Sequence, residues 1–263
     1  MSHFIPFYPY PVLILENSNK EKYLIITDIH IGFEDEINRK GVFIDPKKNV
    51  EEIIELLSTI IYKTQIKNLI ILGDLKSSIT VITKSEWNNV PFFLKSLSKL
   101  CNIYLIPGNH DGNIIHLVPK DINLMSIKGM EINNTLLTHG HTLPSIGKNI
   151  DKIITGHLHP ILIKEGSILN GQKVWIRIIL KKKEIGNLDR KIEFIIVPHF
   201  NQYSYYYENY IYGKKINSKK NKLPLLNNLI TKKEWEMEQV FFISLDGAII
   251  GSEHELNEIL YKK

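Results

Sequence analysis

YLIITDIH (residues 23–30), LIILGD (69–74) and IYLIPGNHD (103–111) state one pattern three times: a short apolar run, then a polar turn bearing glycine, aspartate or histidine. LLTHGH (136–141) and IITGHLH (153–159) repeat it. Such short, β-branched runs, ended abruptly, read as buried strands. Helical spacing separates the first three. Between Asp45 and Lys63, Val50, Ile53, Ile54, Leu57, Ile60 and Ile61 recur at helical intervals, and Pro46 suits the first turn after an Asp45 cap. A second helix is expected from Thr83 to Leu100, opened by a Thr83/Glu86 capping box and kinked or broken at Pro91. Strand, helix, strand, helix, strand makes an α/β protein with a parallel sheet. Such sheets bind ligands beyond the carboxyl ends of their strands. All five polar turns are expected there, converging on one site.

The texture changes after His159. WIRIIL (175–180) and KIEFIIVPHF (191–200) read as a hairpin joined by a charged loop with Gly186 and Asn187. An aromatic stretch (Tyr203 to Tyr212), a lysine-rich segment (Gly213 to Lys222), a strand at VFFISL (240–245) and a short final helix follow. No repeat of fixed period appears. The expectation is a single domain over 1–263, with the motifs in 23–160 and further strands and a tail in 161–263.

A chain of 263 residues, 43% hydrophobic and 23% charged, can bury a real core and is not disordered wholesale. The apolar runs are of strand length, so no membrane span is expected. The opening MSHFIPFYPYPVLIL is broken by Pro6, Pro9 and Pro11 and lacks a basic lead, unlike a signal peptide. Cys101 is the sole cysteine and fits a reducing, cytoplasmic setting. A formal charge of +5 and a pI near 9.0 permit an anionic partner without demanding one.

Histidine says more than net charge. Asp28 and His30 lie two apart at a strand end, so both side chains can reach one ion. Asp74 is a carboxylate able to bridge two cations. In Gly108-Asn109-His110-Asp111, Asn109 offers a carbonyl oxygen, and His110 beside an acid can donate a proton. His139-Gly140-His141 and Gly156-His157-Leu158-His159 add imidazoles, the usual transition-metal ligands. Taken singly, each motif reads equally as a turn or a surface histidine. Taken together, in this order and each after a strand, they do not.

The ordered set from Asp28 to His159, about half the chain, resembles the signature of the calcineurin-like metallophosphoesterases. That resemblance implies an α/β/β/α sandwich of two sheets, with the C-terminal strands supplying much of the second. It implies two divalent ions, manganese first, with iron or zinc as the other choices. One ion would be held by Asp28, His30, Asp74 and His159. The other would take Asp74, Asn109, His139 and His157, with Asp74 bridging. His110 would act in catalysis without being a ligand, Asp111 would orient it, and His141, with no ligand role, would either touch substrate or face solvent, the latter slightly favoured.

The run from Asp28 to Glu34 and LGDLK (72–76) look like a branch of predicted DNA phosphoesterases. That branch is related to nucleases of double-strand-break repair and to those associated with a ligase and a helicase. Ser77 departs from the histidine common there. The branch implies DNA as substrate, repair-protein partners and homodimerisation. The lysines at 181–183, 214, 215, 219, 220 and 222 could meet phosphates, and the tyrosines at 203, 205, 206, 207, 210 and 212 could stack bases. Solvated loops and an edge strand explain both equally well. A phosphodiesterase or phosphomonoesterase of small molecules, and a non-catalytic binding module, remain the rival readings.

Overall fold

The computed structural model describes residues 2–162, 170–182, 190–203, 223–231 and 235–252. It forms two sheets packed face to face, with helices outside. The first sheet begins as a hairpin, β1 (His3–Pro6) and β2 (Leu13–Glu16), which continues antiparallel into β3 (Lys22–Ile26). Helices α1 (Glu34–Arg39) and α2 (Pro46–Thr64) follow, then β4 (Asn68–Leu72), α3 (Lys84–Ser98), β5 (Asn102–Ile106) and the short β6 (Asn123–Leu124). From β3 to β6 every pairing is parallel.

The second sheet takes β7 (Met130–Ile132), β8 (Thr135–Leu137), β9 (Lys152–Thr155), β10 (Val174–Lys182) and β11 (Lys191–Ile196). Helix α4 (Pro224–Thr231) precedes its last two strands, β12 (Trp235–Ser244) and β13 (Ile249–Ser252). Its order is β13-β12-β10-β11-β9-β8-β7. The β8–β9 and β9–β11 pairings are parallel, whereas β10 and β11 form the expected antiparallel hairpin. The five polar turns are therefore not at the end of one sheet. Three close strands of the first sheet and two close strands of the second.

Alternation explains the layers. In β4, Leu69 and Ile71 face α2 and α3, meeting Val50, Ile53, Leu57, Phe93 and Leu97. Ile70 and Leu72 face the other way, into an inter-sheet core with Leu137, Ile154, Trp175 and Ile195. A strand covered on both faces has no polar side, hence its unbroken apolar run. On the far face of the second sheet, Ile153, Ile178 and Phe194 lie under Leu225.

Local signals set the helix ends. Asp45 accepts from the backbone N–H groups of Lys47 and Lys48, with Pro46 at the first helical position. Thr83 and Glu86 form the reciprocal capping box. Of the expected kink or break at Pro91, the break does not occur: α3 runs on through it. Buried Val90 before it and Phe93, Leu94 and Leu97 after it anchor both halves against the sheet, which offsets the lost hydrogen bond. The N-terminal hairpin and α4 were not expected from sequence. Among the described residues, no helix is long and apolar enough to cross a membrane.

Lys183, the lysines from 214 to 222, the tyrosines from 205 to 212 and the final helix lie outside the described residues. Lys181 and Lys182 end β10, and Tyr203 stacks on Phe33.

Candidate metal centre

The chain turns sharply where the strands end. Asp28, His30, Asp74, His157 and His159 all adopt left-handed backbone, with φ of 55°, 52°, 47°, 73° and 47°. Residues with side chains seldom do this, and aspartate and histidine do it more readily than most. Concentrated strain of this kind marks functional sites. The left-handed turns are held by cross-links between loops. The backbone amides of Ile29 and His30 both donate to the Asp74 carbonyl, at 3.0 and 2.9 Å. The amide of His157 donates to Asp28 Oδ2 at 3.0 Å. Glycine makes the approach close enough. A Cβ on Gly73, whose φ is +77°, would sit 2.5 Å from His139 Nδ1. A Cβ on Gly156 would overlap Thr27 Oγ1 and come within 2.7 Å of Asp28 Oδ2.

All seven residues singled out as ligands converge. Asp28, His30, Asp74 and His159 form one donor group, and Asp74, His139 and His157 another, each with donor atoms within 4.8 Å of one another. Asn109 joins the second group through Oδ1, 3.2 Å from His139 Nε2. Asp74 belongs to both. Its Oδ1 accepts from the His110 amide at 2.8 Å. Its Oδ2 is left facing His139 Nε2 at 3.2 Å and His30 Nε2 at 3.9 Å.

The donor set fits a pair of divalent cations. His139 Nδ1 lies 2.7 Å from the Leu72 carbonyl, so that nitrogen carries the proton and Nε2 keeps its lone pair. Yet Nε2 faces Asp74 Oδ2, Asn109 Oδ1 and, at 3.1 Å, His157 Nδ1. Lone pairs pointed at one another need a positive charge between them, a metal cation or a proton. In the other group, His30 and His159 bring their Nε2 atoms to 3.2 Å. Asp28 Oδ1, fully buried, has no hydrogen-bond partner, although His159 Nε2 approaches it to 3.1 Å.

Charge follows the same logic. Burial lowers His30 to about 3, against the pull of Asp74. Burial, helped by the charge of His139, lowers His157 to about 4. Both rings are neutral at physiological pH, the form that binds metal. Burial works against the Asp28 carboxylate, but His159 beside it holds it down at about 2. Burial also opposes charge on His139, but Asp74 outweighs it and raises the ring to about 9. A proton there is the answer to crowding when no cation is bound.

His110 stands edge-on to His30, ring centroids 4.9 Å apart. Its Nδ1 donates to the Ser77 carbonyl. Asp111 was expected to orient this ring but is engaged elsewhere. Its carboxylate accepts from the backbone amides of Gly108 at 2.8 Å and Lys76 at 3.1 Å, and so shapes the loop. At Ser77 it is the backbone carbonyl, not the side chain, that holds His110. Of the two roles left open for His141, facing solvent is the less suited: the ring is half-buried and tilted against His139 at 5.2 Å.

Sequence reasoning missed the segment after β11. The Phe200 amide donates to the Thr27 carbonyl at 2.8 Å, and Asn201 Nδ2 to the Ile29 carbonyl at 2.7 Å. His199 lies beside His159, ring centroids 5.3 Å apart. The available signal was an apolar run ended by Pro-His-Phe-Asn, a sixth instance of the opening pattern.

The profile of the calcineurin-like phosphoesterases matches residues 21–216. Among solved structures the chain is similar to a nuclease, MPE, of Pseudomonas putida, with 19% identity and a TM-score of 0.47, over 76% of this chain and 88% of that one. It is also similar to Yfce, a phosphoesterase from E. coli, with 15% identity and a TM-score of 0.39, over 88% and 97%. An archaeal phosphodiesterase shares 16% identity with a TM-score of 0.34, over 67% and 83%. No curated protein matches the chain.

Proposed function

The chain belongs to the calcineurin-like phosphoesterase family, metal-dependent hydrolases of phosphoester bonds, and from that premise we propose that its substrate is DNA, cleaved as a phosphodiesterase at a two-metal centre. The observation that carries this reading is an open site. Asp28, Asp74 and His139 form a buried floor, while Asn109, His110, His157 and His159 keep part of their surface exposed. A polymer can lie across such a bowl. One surface beside it suits a nucleic acid. Ile79, Val81 and Trp87 are more than half exposed in and beside the loop on which His110 leans. Apolar and aromatic surface of this kind receives unpaired bases.

Asp28, His30, Asp74 and His159 would hold one cation, and Asp74, Asn109, His139 and His157 the other. Bound there, the pair supplies Lewis acidity to a water nucleophile and to the phosphoryl oxygens. Nitrogen and oxygen donors without thiolate suit manganese, iron or zinc, and manganese is our assignment. The chain's own residues do the rest. His110 commits its Nδ1–H to the Ser77 carbonyl, which leaves Nε2 free for the substrate; the doubly protonated ring would hand its Nε2 proton to the departing oxygen. Asp111 fixes the loop that presents it. The buried, free Cys101 fits a cytoplasmic setting.

The test is end-labelled single-stranded DNA with manganese, native protein against Asp74→Asn, with a cyclic nucleotide and an aryl phosphate as rival substrates. Metal-dependent cleavage of DNA that disappears in the variant supports the reading. Turnover of a rival with DNA untouched removes DNA and leaves a small-molecule phosphoesterase.

A further inference from the structure

Glu86 is 0% exposed and is shared between two structures. Its Oε2 accepts the Thr83 amide at 2.8 Å, which completes the capping box of α3. The capping box does not need Oε1, yet that oxygen is not left to water. It accepts the amides of Ser77 at 3.1 Å and Ser78 at 2.6 Å, in the loop on which His110 leans. The stem of Glu86 passes over Gly32, where a Cβ would sit 2.6 Å from its Cγ. A buried carboxylate needs donors, and this one finds three backbone N–H groups.

The Ser78 amide has a second meaning. It belongs to the same peptide group as the Ser77 carbonyl, and that peptide is trans. In a planar trans peptide the N–H and the C=O point in opposite directions. One end meets Glu86 Oε1, and the other accepts the Nδ1–H of His110. Carboxylate, peptide group and imidazole are thus joined in one row. Hydrogen bonds in such a row polarise one another, and here a carboxylate stands at its head. Asp111, the carboxylate expected behind His110, grips the Gly108 and Lys76 amides instead. Lys76 adds a further tie, its Nζ donating to the Ser78 carbonyl. The loop is held at Lys76, Ser77 and Ser78 together, so the Ser77 carbonyl has little freedom to turn away from the ring.

We propose that Glu86 is a positioning residue for His110: acting through the Ser77–Ser78 peptide, its Oε1 aims the Ser77 carbonyl at Nδ1 and so sets which ring nitrogen faces the phosphoester. This rests on the reading of His110 as the group that meets the substrate, and not on DNA being that substrate.

Two measurements on the full chain test it. The first is nitrogen–proton NMR of the metal-free protein, with His110→Ala identifying the ring signal of His110. The second is the rate of cutting end-labelled single-stranded DNA with manganese, for Glu86→Ala, His110→Ala, the two combined, and Thr83→Ala. Native protein should show a His110 Nδ1–H signal protected from exchange with water, and Glu86→Ala should lose it. Glu86→Ala should also lose about 10- to 100-fold in rate, the range seen when the outer partner of a functional histidine is removed. In the His110→Ala background the same change should cost less than about twofold, because the two residues act as one unit. Thr83→Ala, which weakens the helix cap alone, should lower the melting temperature and leave signal and rate as they are. If Glu86→Ala does not fold, Glu86→Asp, whose shorter stem cannot reach loop and cap together, is read the same way. A native ring protonated only at Nε2 would overturn the proposal. So would an equal rate loss in both backgrounds, or a Thr83→Ala variant as slow as Glu86→Ala. Native rate in His110→Ala would bring down the role of His110 itself, a distinct result. Uncut DNA, with the Nδ1–H signal present in native protein and lost in Glu86→Ala, would remove DNA as substrate and keep the positioning.

Discussion

Changing Asp74 to asparagine removes one charge and adds two hydrogens, and the structure dictates where those hydrogens go. Oδ1 accepts the His110 amide at 2.8 Å, so the new side chain must keep its oxygen there. The amide nitrogen then takes the place of Oδ2, which lies 3.2 Å from His139 Nε2 and 3.9 Å from His30 Nε2. Donor hydrogens would point into the space shared by both donor groups. Two unit charges at 4 Å attract by about 4 kcal/mol at an effective dielectric of 20, so a divalent ion loses about 8 kcal/mol. Sparing the buried carboxylate its desolvation returns a large part, of order half. The remaining ~4 kcal/mol is a loss of about three orders of magnitude in affinity. Because Oδ2 is common to both groups, both ions should be affected. Metal content after gel filtration, calorimetric titration with manganese and hydrolysis of an aryl phosphodiester measure this. A variant holding two equivalents with affinities within tenfold of native would refute the bridging role. Loss of one ion alone would show that Asp74 serves a single group.

Three further outcomes follow from the same geometry. His110→Ala should keep both metals and lose about 10²- to 10⁴-fold in rate, since the ring touches no shared donor atom but faces the reacting side; loss of metal would make it a ligand. Gly156→Ala drives a methyl into Thr27 Oγ1 and against Asp28 Oδ2, which should cost about 1–3 kcal/mol in urea unfolding and weaken metal binding. Native stability and full metal content in that variant would mean that the loops can part. Glu34 is raised by burial from 4.5 to about 7. Between those values the unfolded chain sheds a proton that the folded chain keeps, so stability falls as pH rises through the window. The penalty is of order 3 kcal/mol above it. Glu34→Gln should therefore match native protein near pH 4.5 and exceed it at pH 8, and a difference that stays flat with pH would count against the buried acid.

The strands and the convergence of the candidate ligands were legible because burial on both faces and metal-donor chemistry each leave narrow sequence marks. An unbroken run such as Leu69 to Leu72 has no soluble alternative, and histidine beside glycine after such a run has few structural excuses. What was not legible was the partition of the motifs between two sheets. Strand-end turns look alike whichever sheet they end, and only the parallel pairing of β8 with β9 and of β9 with β11 separates them. The N-terminal hairpin was hidden by Pro6, Pro9 and Pro11, which sit at or between its strands rather than inside the sheet. Pro91 misled because propensity yields to tertiary burial on both sides of it. His199 was overlooked because its place beside His159 comes from contacts across the fold, which no spacing records.

The division of the site between two layers has a mechanical consequence. Each donor group draws from both sheets: Asp28, His30 and Asp74 on one side with His159 on the other, and Asp74 and Asn109 with His139 and His157. A cation in either group would act as a rivet through the sandwich, closing a long loop as a disulfide would, from Asp28 to His159 in one group and from Asp74 to His157 in the other. The apolar seam between the sheets, where Ile70 and Leu72 meet Leu137, Ile154 and Trp175, then sets how far apart the rivet holes stand. Slippage along that seam, from a substitution far from any ligand, would be felt first as altered spacing of the two ions.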